Sequence, residues 1–162
     1  NKRLESFLQP KVAHYYDIRN LENAKKRVFG KMWIFDIWDF TDKEIEDTHD
    51  FIQIVFPLNE PSKHSSNRHF LDDKLVIDQI RCDEIIKNNL VKSSKWFLSF
   101  LSSNHQWRIW HDHNHLRITR IIKCLRLLVS DNEADDFHLS ILRLVEGNNL
   151  VNKETLEFWE KS

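Results

Sequence analysis

A helical stripe of apolar residues in the second half of the chain constrains the fold more than any other feature. Residues 107–128 read WRIWHDHNHLRITRIIKCLRLL. The apolar side chains that recur at helical steps are Ile118, Ile121, Ile122, Leu125, Leu128 and Val129. This spacing places them on one face of an α-helix. The sequence therefore predicts an amphipathic helix here, with its apolar face in a core.

The composition excludes several fold classes. Only two of the 162 residues are glycine and three are proline, which argues against turn-rich all-β architectures. Glycine-rich phosphate loops are excluded too, because Gly30 and Gly147 are far apart. Hydrophobic residues make up 41% of the chain, enough for a packed core. We therefore expect an all-α fold, a single compact domain over residues 1–162 with about six to seven helices.

Local signals predict where several helices begin and end. Thr41 and Glu44 have the spacing of a capping box, and the pattern that follows predicts a helix that Pro57 ends. Acceptable N-cap residues precede three further helical patterns, at Asp72, Asp83 and Asp131. Residues 1–30 also read as helical, with Gly30 at the end.

Charge and cysteine content indicate the environment of the chain. The 24 basic and 25 acidic residues nearly cancel, so no overall field favours nucleic acid or a membrane surface. No apolar run approaches the roughly 20 residues that span a bilayer. Cys82 and Cys124 form no CxxC motif, and such isolated cysteines favour free thiols in a reducing compartment. We expect an intracellular, cytoplasmic protein without a membrane span.

Two polar clusters supply the candidate binding residues. His49 and Gln53 lie four residues apart beside an apolar face. Arg117 and Arg120 share one edge of the later helix, near Asn114, and two such guanidiniums can hold a carboxylate or phosphate. We expect the clusters to form a partly open polar seam that binds a peptide, a protein or an anionic group. In the competing interpretation, each arginine pairs with a carboxylate of the same chain.

The complete set of candidate ligand-binding residues is His49, Gln53, Trp110, His113, Asn114, Arg117 and Arg120. No residue pattern indicates a catalytic nucleophile, because neither a GxSxG elbow nor a Cys/His arrangement is present. The primary prediction is therefore a non-enzymatic binding domain, without a catalytic residue, a metal or another cofactor.

The histidine-rich run HDHNH, at residues 111–115, suggests an alternative function. If the run is helical, His111 and His115 lie on one face of the helix. If it is extended, His111, His113 and His115 all lie on one side of the strand, and either arrangement could bind a metal. A metal- or nucleotide-dependent enzyme could use this cluster, although the two geometries exclude each other. A nucleic-acid-binding module is a further alternative, because aromatic and basic side chains interleave at residues 107–110.

Two segments of the chain resemble the conserved domain of the opioid growth factor receptor family. The first reads HDFIQIVFPL at residues 49–58. The second is Trp110 followed by HNHLRITRI at residues 113–121, and a helix ending WFLSFL lies between the two. The resemblance is best over residues 40–128. It departs from the family where Ile54 replaces the usual Trp.

The resemblance implies an all-α domain with a binding rather than a catalytic role. In animals it implies an association with an enkephalin peptide and growth restraint at the nucleus. It assigns no ligand-binding residue. Since the domain also occurs in bacteria, we expect a divergent member that can be bacterial, with a nuclear association only for a eukaryotic member.

Overall fold

The described part of the chain is built from helices. The computed structural model describes residues 37–48, 51–60, 70–71, 73–147 and 150–162. Within these ranges lie seven complete helices and no strand: α1 (Asp42–Asp47), α2 (Ile52–Val55), α3 (Lys74–Arg81), α4 (Glu84–Ser103), α5 (His113–Leu128), α6 (Asp131–Leu144) and α7 (Lys153–Lys161). The predicted all-α class is confirmed. No described helix combines the length and the apolar character that a membrane span requires.

The internal contacts divide the chain into two units. Unit 1 is Asn1–Leu90 and unit 2 is Val91–Ser162, with the boundary inside α4. Unit 1 therefore holds α1–α3 and the beginning of α4, and unit 2 holds the rest of α4 with α5–α7. A single domain over residues 1–162 stays a prediction. The predicted helix at residues 1–30 lies outside the described residues.

The first complete helix of unit 1 begins at the predicted capping box. The Glu44 amide donates to the Thr41 hydroxyl at 3.2 Å, and the Thr41 amide donates to the Glu44 carboxylate at 3.0 Å. The prediction of one continuous helix as far as Pro57 is wrong. Helix α1 ends at Asp47, and the backbone is extended at Thr48 (φ −90°, ψ 123°) before α2 begins. Aspartate and β-branched threonine are weak helix formers, which explains the break.

The next two helices of unit 1 begin at aspartate caps. The predicted cap Asp72 lies outside the described residues, and α3 is capped by Asp73, whose carboxylate accepts from the Leu75 amide at 2.8 Å. The predicted cap Asp83 is confirmed. Its carboxylate accepts from the Ile85 amide at 3.1 Å, immediately before the long helix α4.

Helix α5 carries the apolar core of unit 2 and packs against both α6 and α7. The predicted stripe is fully buried at Ile118, Ile121, Ile122, Leu125 and Leu128. Val129 is instead the C-cap of the helix. Opposing apolar side chains come from Phe137 and Ile141 of α6 and from Trp159 of α7, all of which are buried. The helical period of this stretch therefore predicted which side of α5 faces the core.

The cap of α6 differs from the prediction by one residue. The Ser130 hydroxyl accepts from the Glu133 amide at 3.2 Å, so Ser130 is the N-cap and the predicted cap Asp131 is the first residue of the helix. A carboxylate in the first turn still stabilises the helix, because it opposes the macrodipole. Beyond α6, Gly147 adopts a φ of 76°, a left-handed conformation that glycine tolerates best.

One arginine of α5 joins three segments of unit 2. The Arg126 guanidinium donates to the carboxylates of Asp131 and Asp135 at 2.8 and 2.7 Å, and its Nε donates to the Ser162 carbonyl at 2.7 Å. Its side chain is 32% exposed, so solvent weakens each interaction. The planar fork of arginine can satisfy the three acceptors together, which a lysine cannot do.

Replacing Arg126 with methionine is expected to destabilise unit 2 by about 1–2 kcal/mol, because three charge-assisted hydrogen bonds are lost at a partly exposed site. Arg126→Lys is expected to recover little of this loss. Urea denaturation followed by circular dichroism measures the change. The exposed Arg143 on α6 is the matched control, since Arg143→Met is expected to stay within about 0.5 kcal/mol of the parent. Equal losses for both variants would contradict the role of Arg126.

Candidate functional site

The segment that connects α4 to α5 is anchored by Trp107. This indole is 1% exposed. Its Nε1 donates to the carbonyls of Leu101 and Asn104 at 2.9 and 2.8 Å, at the C-terminal end of α4. Because helix ends leave carbonyls without intrahelical partners, the indole both fills space and satisfies them. The anchor fixes the approach to the first turn of α5, where several candidate residues lie.

His115 ties this segment to two helices. Its Nε2 lies 2.7 Å from the Trp107 carbonyl, and since a carbonyl oxygen only accepts, Nε2 must carry the proton. The Trp159 indole of α7 donates to the His115 carbonyl at 3.1 Å. The two rings also meet edge-on, with centroids 5.7 Å apart. His115 therefore holds the connecting segment, α5 and α7 together.

The arginine cluster on α5 is almost completely buried. Asn114, Arg117 and Arg120 are 1%, 5% and 8% exposed, respectively. The Arg117 guanidinium donates to the side-chain oxygen of Asn114 at 3.3 Å, so the structure brings these two predicted residues together. All three take part in further interactions. A guanidinium held in a region of low dielectric interacts more strongly with any nearby anion than it would in water.

Trp110 and His113 lie on the outside of the same region. Trp110 is 61% exposed, and its carbonyl accepts a hydrogen bond from the side-chain amide of Asn152. His113 is the first residue of α5, and its Nδ1 lies 3.9 Å from the Asp112 carboxylate that caps the helix. These two candidates therefore present an aromatic ring and an imidazole to solvent at the start of α5.

The remaining candidates belong to unit 1. Gln53 lies in α2 and is 7% exposed. Its side-chain oxygen is buried and has no hydrogen-bond partner among the residues that the structure describes, a costly state for an amide acceptor. His49 lies outside the described residues. The convergence of these two residues with the arginine cluster stays a prediction.

The histidine run adopts neither of the geometries considered for a metal. Asp112 is the N-cap of α5, so His111 precedes the helix while His113 and His115 belong to it. The run is therefore neither one helical face nor one strand. One imidazole nitrogen of His115 is occupied by the Trp107 carbonyl, and His111 Nδ1 lies 3.4 Å from the side-chain amide of Asn152.

Burial sets the electrostatic character of the α5 side chains. Burial raises the pKa of the Cys124 thiol to about 12, and the positive charge of Arg120 opposes this shift. The thiol therefore stays protonated near neutral pH and is a poor nucleophile. Both cysteines are free, as predicted, with Cys82 exposed and Cys124 buried.

The sequence did not predict the role of Asn152, the N-cap of α7, which holds the segment around Trp110 in place. Its side-chain oxygen accepts from the Thr155 amide at 2.7 Å and caps the helix, while its amide nitrogen reaches the Trp110 carbonyl. An asparagine just before a helical pattern signals the cap. Nothing in the sequence signals a hydrogen bond to a carbonyl that lies 42 residues away along the chain.

Comparison with known proteins identifies the family. The family model described as the opioid growth factor receptor (OGFr) conserved region matches residues 29–161. The human opioid growth factor receptor is 30% identical over an alignment of 129 residues, and the match covers 68% of this chain and 18% of the human protein. The match therefore spans less than a fifth of that receptor. No solved structure matches the chain significantly. The resemblance inferred from two motifs is confirmed, and the chain belongs to the opioid growth factor receptor conserved-region family.

Proposed function

We propose that this chain is a non-enzymatic, intracellular binding domain that recognises a peptide or protein ligand through an anionic group. The proposed site is the polar seam of His49, Gln53, Asn114, Arg117 and Arg120, flanked by Trp110 and His113. The human relative is named as a receptor for opioid growth factor, which supports a binding role. Carrying that role to this chain is part of the proposal, because the match covers only 18% of the human protein.

The observation that carries the proposal is the pair of buried guanidiniums on α5. Arg117 and Arg120 are 5% and 8% exposed, and Asn114 helps to orient Arg117 through the 3.3 Å hydrogen bond. Arginine forks suit carboxylates, and a held side chain loses less entropy when it binds a ligand. A peptide offers one carboxylate at its C-terminus, so we assign that group to the arginine pair.

The buried acceptor of Gln53 supports the other half of the seam. Its side-chain oxygen has no donor among the residues that the structure describes. A peptide supplies donors in its backbone N–H groups and its terminal ammonium. A ligand that donates to this oxygen would remove the cost of burying an unsatisfied acceptor, roughly 1–3 kcal/mol.

The test compares an enkephalin peptide with a free C-terminal carboxylate and the same peptide amidated at that terminus. Calorimetric titration is expected to show that amidation raises the Kd roughly 10- to 100-fold, because the amide cannot accept the charge-assisted pair of hydrogen bonds that the carboxylate accepts. Arg117→Ala is expected to weaken binding of the free acid by a similar factor and to abolish the preference over the amide. If neither peptide binds, or if both bind equally, the proposed recognition is wrong.

Three variants distinguish a binding role from a structural one. Arg117→Lys keeps the charge without the planar fork, so it should fold and bind weakly. Gln53→Met removes the buried acceptor, so it should weaken binding while stability is unchanged or higher. Lys123→Ala changes an exposed residue of α5 and should leave both properties unchanged. Loss of the fold in both Arg117 variants would show that the guanidinium is structural.

A further inference from the structure

The backbone of residues 107–110, the anchored segment, is held at both ends. At its start, the Trp107 carbonyl accepts from His115 Nε2, and the Trp107 indole donates to two carbonyls at the end of α4. At its end, the Trp110 carbonyl accepts from the side-chain amide of Asn152, which is itself buried. The anchored segment is therefore fixed between helices α4, α5 and α7.

Two large apolar side chains of the anchored segment face solvent. Ile109 is 46% exposed and Trp110 is 61% exposed. Leu150, which lies two residues before the asparagine that bonds to Trp110, is 55% exposed. Single exposed apolar residues are ordinary at protein surfaces, so exposure alone indicates no site. Here, however, consecutive apolar residues are presented on a backbone that hydrogen bonds hold in place.

The third outward residue of the anchored segment, Arg108, carries a charge without a matching carboxylate. Its Cζ lies 5.4 Å from the centroid of the Trp107 ring, within the range of a cation–π contact. Its Nε is buried and has no hydrogen-bond partner among the residues that the structure describes. None of the salt bridges between described residues involves Arg108. The carboxylates of Asp131 and Asp135 both pair with Arg126 instead.

A carboxylate is the ligand group that suits this guanidinium. Arginine presents its nitrogens as a planar fork, which a carboxylate accepts through two charge-assisted hydrogen bonds. Arg108 is partly exposed, so a ligand can reach it. Because it already rests on the buried Trp107, it loses less freedom on binding than a free surface arginine would. Arginine and tryptophan are also enriched at the energetic centres of protein interfaces.

We propose that the anchored segment is a docking surface for an acidic segment of a partner protein. A side-chain carboxylate of that partner pairs with Arg108, and an adjacent apolar side chain packs on Ile109 and Trp110. The Cα atoms of residues 108 and 110 are at most about 7 Å apart, so one short stretch of the partner can contact both. Trp110 also borders the polar seam, but this docking needs neither the arginine pair of α5 nor a peptide C-terminus.

The surrounding charges favour an acidic protein over a nucleic acid. The imidazoles of His111 and His113 are exposed beside the anchored segment, and Asp112 places a carboxylate between them. Nucleic acids are bound mainly by many cations that each contact a phosphate, whereas the net charge of this chain is −1. One guanidinium beside two apolar side chains matches a carboxylate next to an apolar residue more closely than it matches a row of phosphates.

Fluorescence polarisation with matched peptides tests the docking surface. The probe is GSELELGS, with fluorescein at its N-terminus and an amide at its C-terminus, so it offers no terminal carboxylate to the polar seam. GSQLQLGS removes the charge of the probe, and GSEAEAGS removes its apolar side chains. We expect each control peptide to bind at least about tenfold more weakly than the probe. Absent binding of the probe, or equal binding of the probe and either control, would overturn the proposal.

Variants of the chain place the effect at the anchored segment. Arg108→Gln should bind GSELELGS and GSQLQLGS equally, because the group that distinguishes them is gone. Trp110→Ala should weaken both peptides, and its exposed position makes it a test that does not depend on the folding of the Arg108 variant. Arg143→Gln, at an exposed arginine of α6, should keep the full preference. If it loses the preference as Arg108→Gln does, the attraction is non-specific and the proposal is wrong.

Two further measurements separate this surface from the other candidates. Arg117→Lys should leave the affinity for the amidated probe unchanged while it weakens binding of the free-acid enkephalin, so the two proposals can fail independently. Loss of probe binding in Arg117→Lys with Arg108→Gln unaffected would move the site to α5 and overturn the docking surface. Tighter binding of a twelve-nucleotide oligothymidylate than of the probe would assign the anchored segment to nucleic acid and overturn it too.

Discussion

Replacing Trp159 with alanine is expected to weaken the attachment of α7 by about 3–5 kcal/mol, the usual cost of removing a buried aromatic side chain. The indole is fully buried. Two contributions are lost together: the space that the ring fills against α5 and the 3.1 Å hydrogen bond to the His115 carbonyl. Because α7 has only nine residues, the loss should appear as local unfolding of this helix before the rest of unit 2 unfolds.

Amide exchange of residues 153–161 measures this effect, and the neighbouring aromatic residue is the control. Phe158 is 57% exposed, so Phe158→Ala should change stability by no more than about 0.5 kcal/mol. Trp159→Phe should retain part of the packing and lose the hydrogen bond. If Trp159→Ala and Phe158→Ala behave alike, the indole does not hold α7 in place.

Replacing Trp107 with alanine is expected to destabilise unit 2 by about 3–5 kcal/mol as well, for a different reason. Trp107 fills the core beneath the connecting segment and donates to two carbonyls at the end of α4. Trp107→Phe separates these roles, because it keeps an aromatic ring but leaves both carbonyls without this donor. We expect this variant to lose about 1–3 kcal/mol.

Urea denaturation followed by far-ultraviolet circular dichroism is the appropriate measurement, since substituting tryptophan alters the fluorescence itself. Trp110 provides the control, because it lies in the same segment and is 61% exposed. Trp110→Ala should leave stability within about 0.5 kcal/mol of the parent. A Trp107→Phe variant as stable as the parent would mean that the indole N–H contributes no net stability.

The two tryptophan predictions concern the same part of unit 2. His115 contacts both tryptophans. Its ring Nε2 donates to the Trp107 carbonyl, and its own carbonyl accepts from the Trp159 indole. The proposed binding residues Trp110 and His113 lie on the outer side of this junction.

Local sequence signals predicted most of the helical structure correctly. The spacing of Ile118, Ile121 and Leu125 identified the buried face of α5, because a helix repeats every 3.6 residues whatever lies around it. The capping box at Thr41 was identified for the same reason, since its hydrogen bonds are made within one turn. The predictions failed where alternatives were close in energy, at the break after Asp47 and at the choice between Ser130 and Asp131.

The all-α class, the apolar face of α5 and, through two motifs, the family could be predicted from the residues alone. These properties depend on residues a few positions apart or on motifs that are legible in the chain. The packing of the helices joins Trp107 to Trp159 through His115, brings Asn152 to Trp110, and buries Arg117 and Arg120. Burial, and hydrogen bonds between residues far apart in the chain, depend on how the helices pack. Each of these side chains could bind several different partners, and the packing selects one of them.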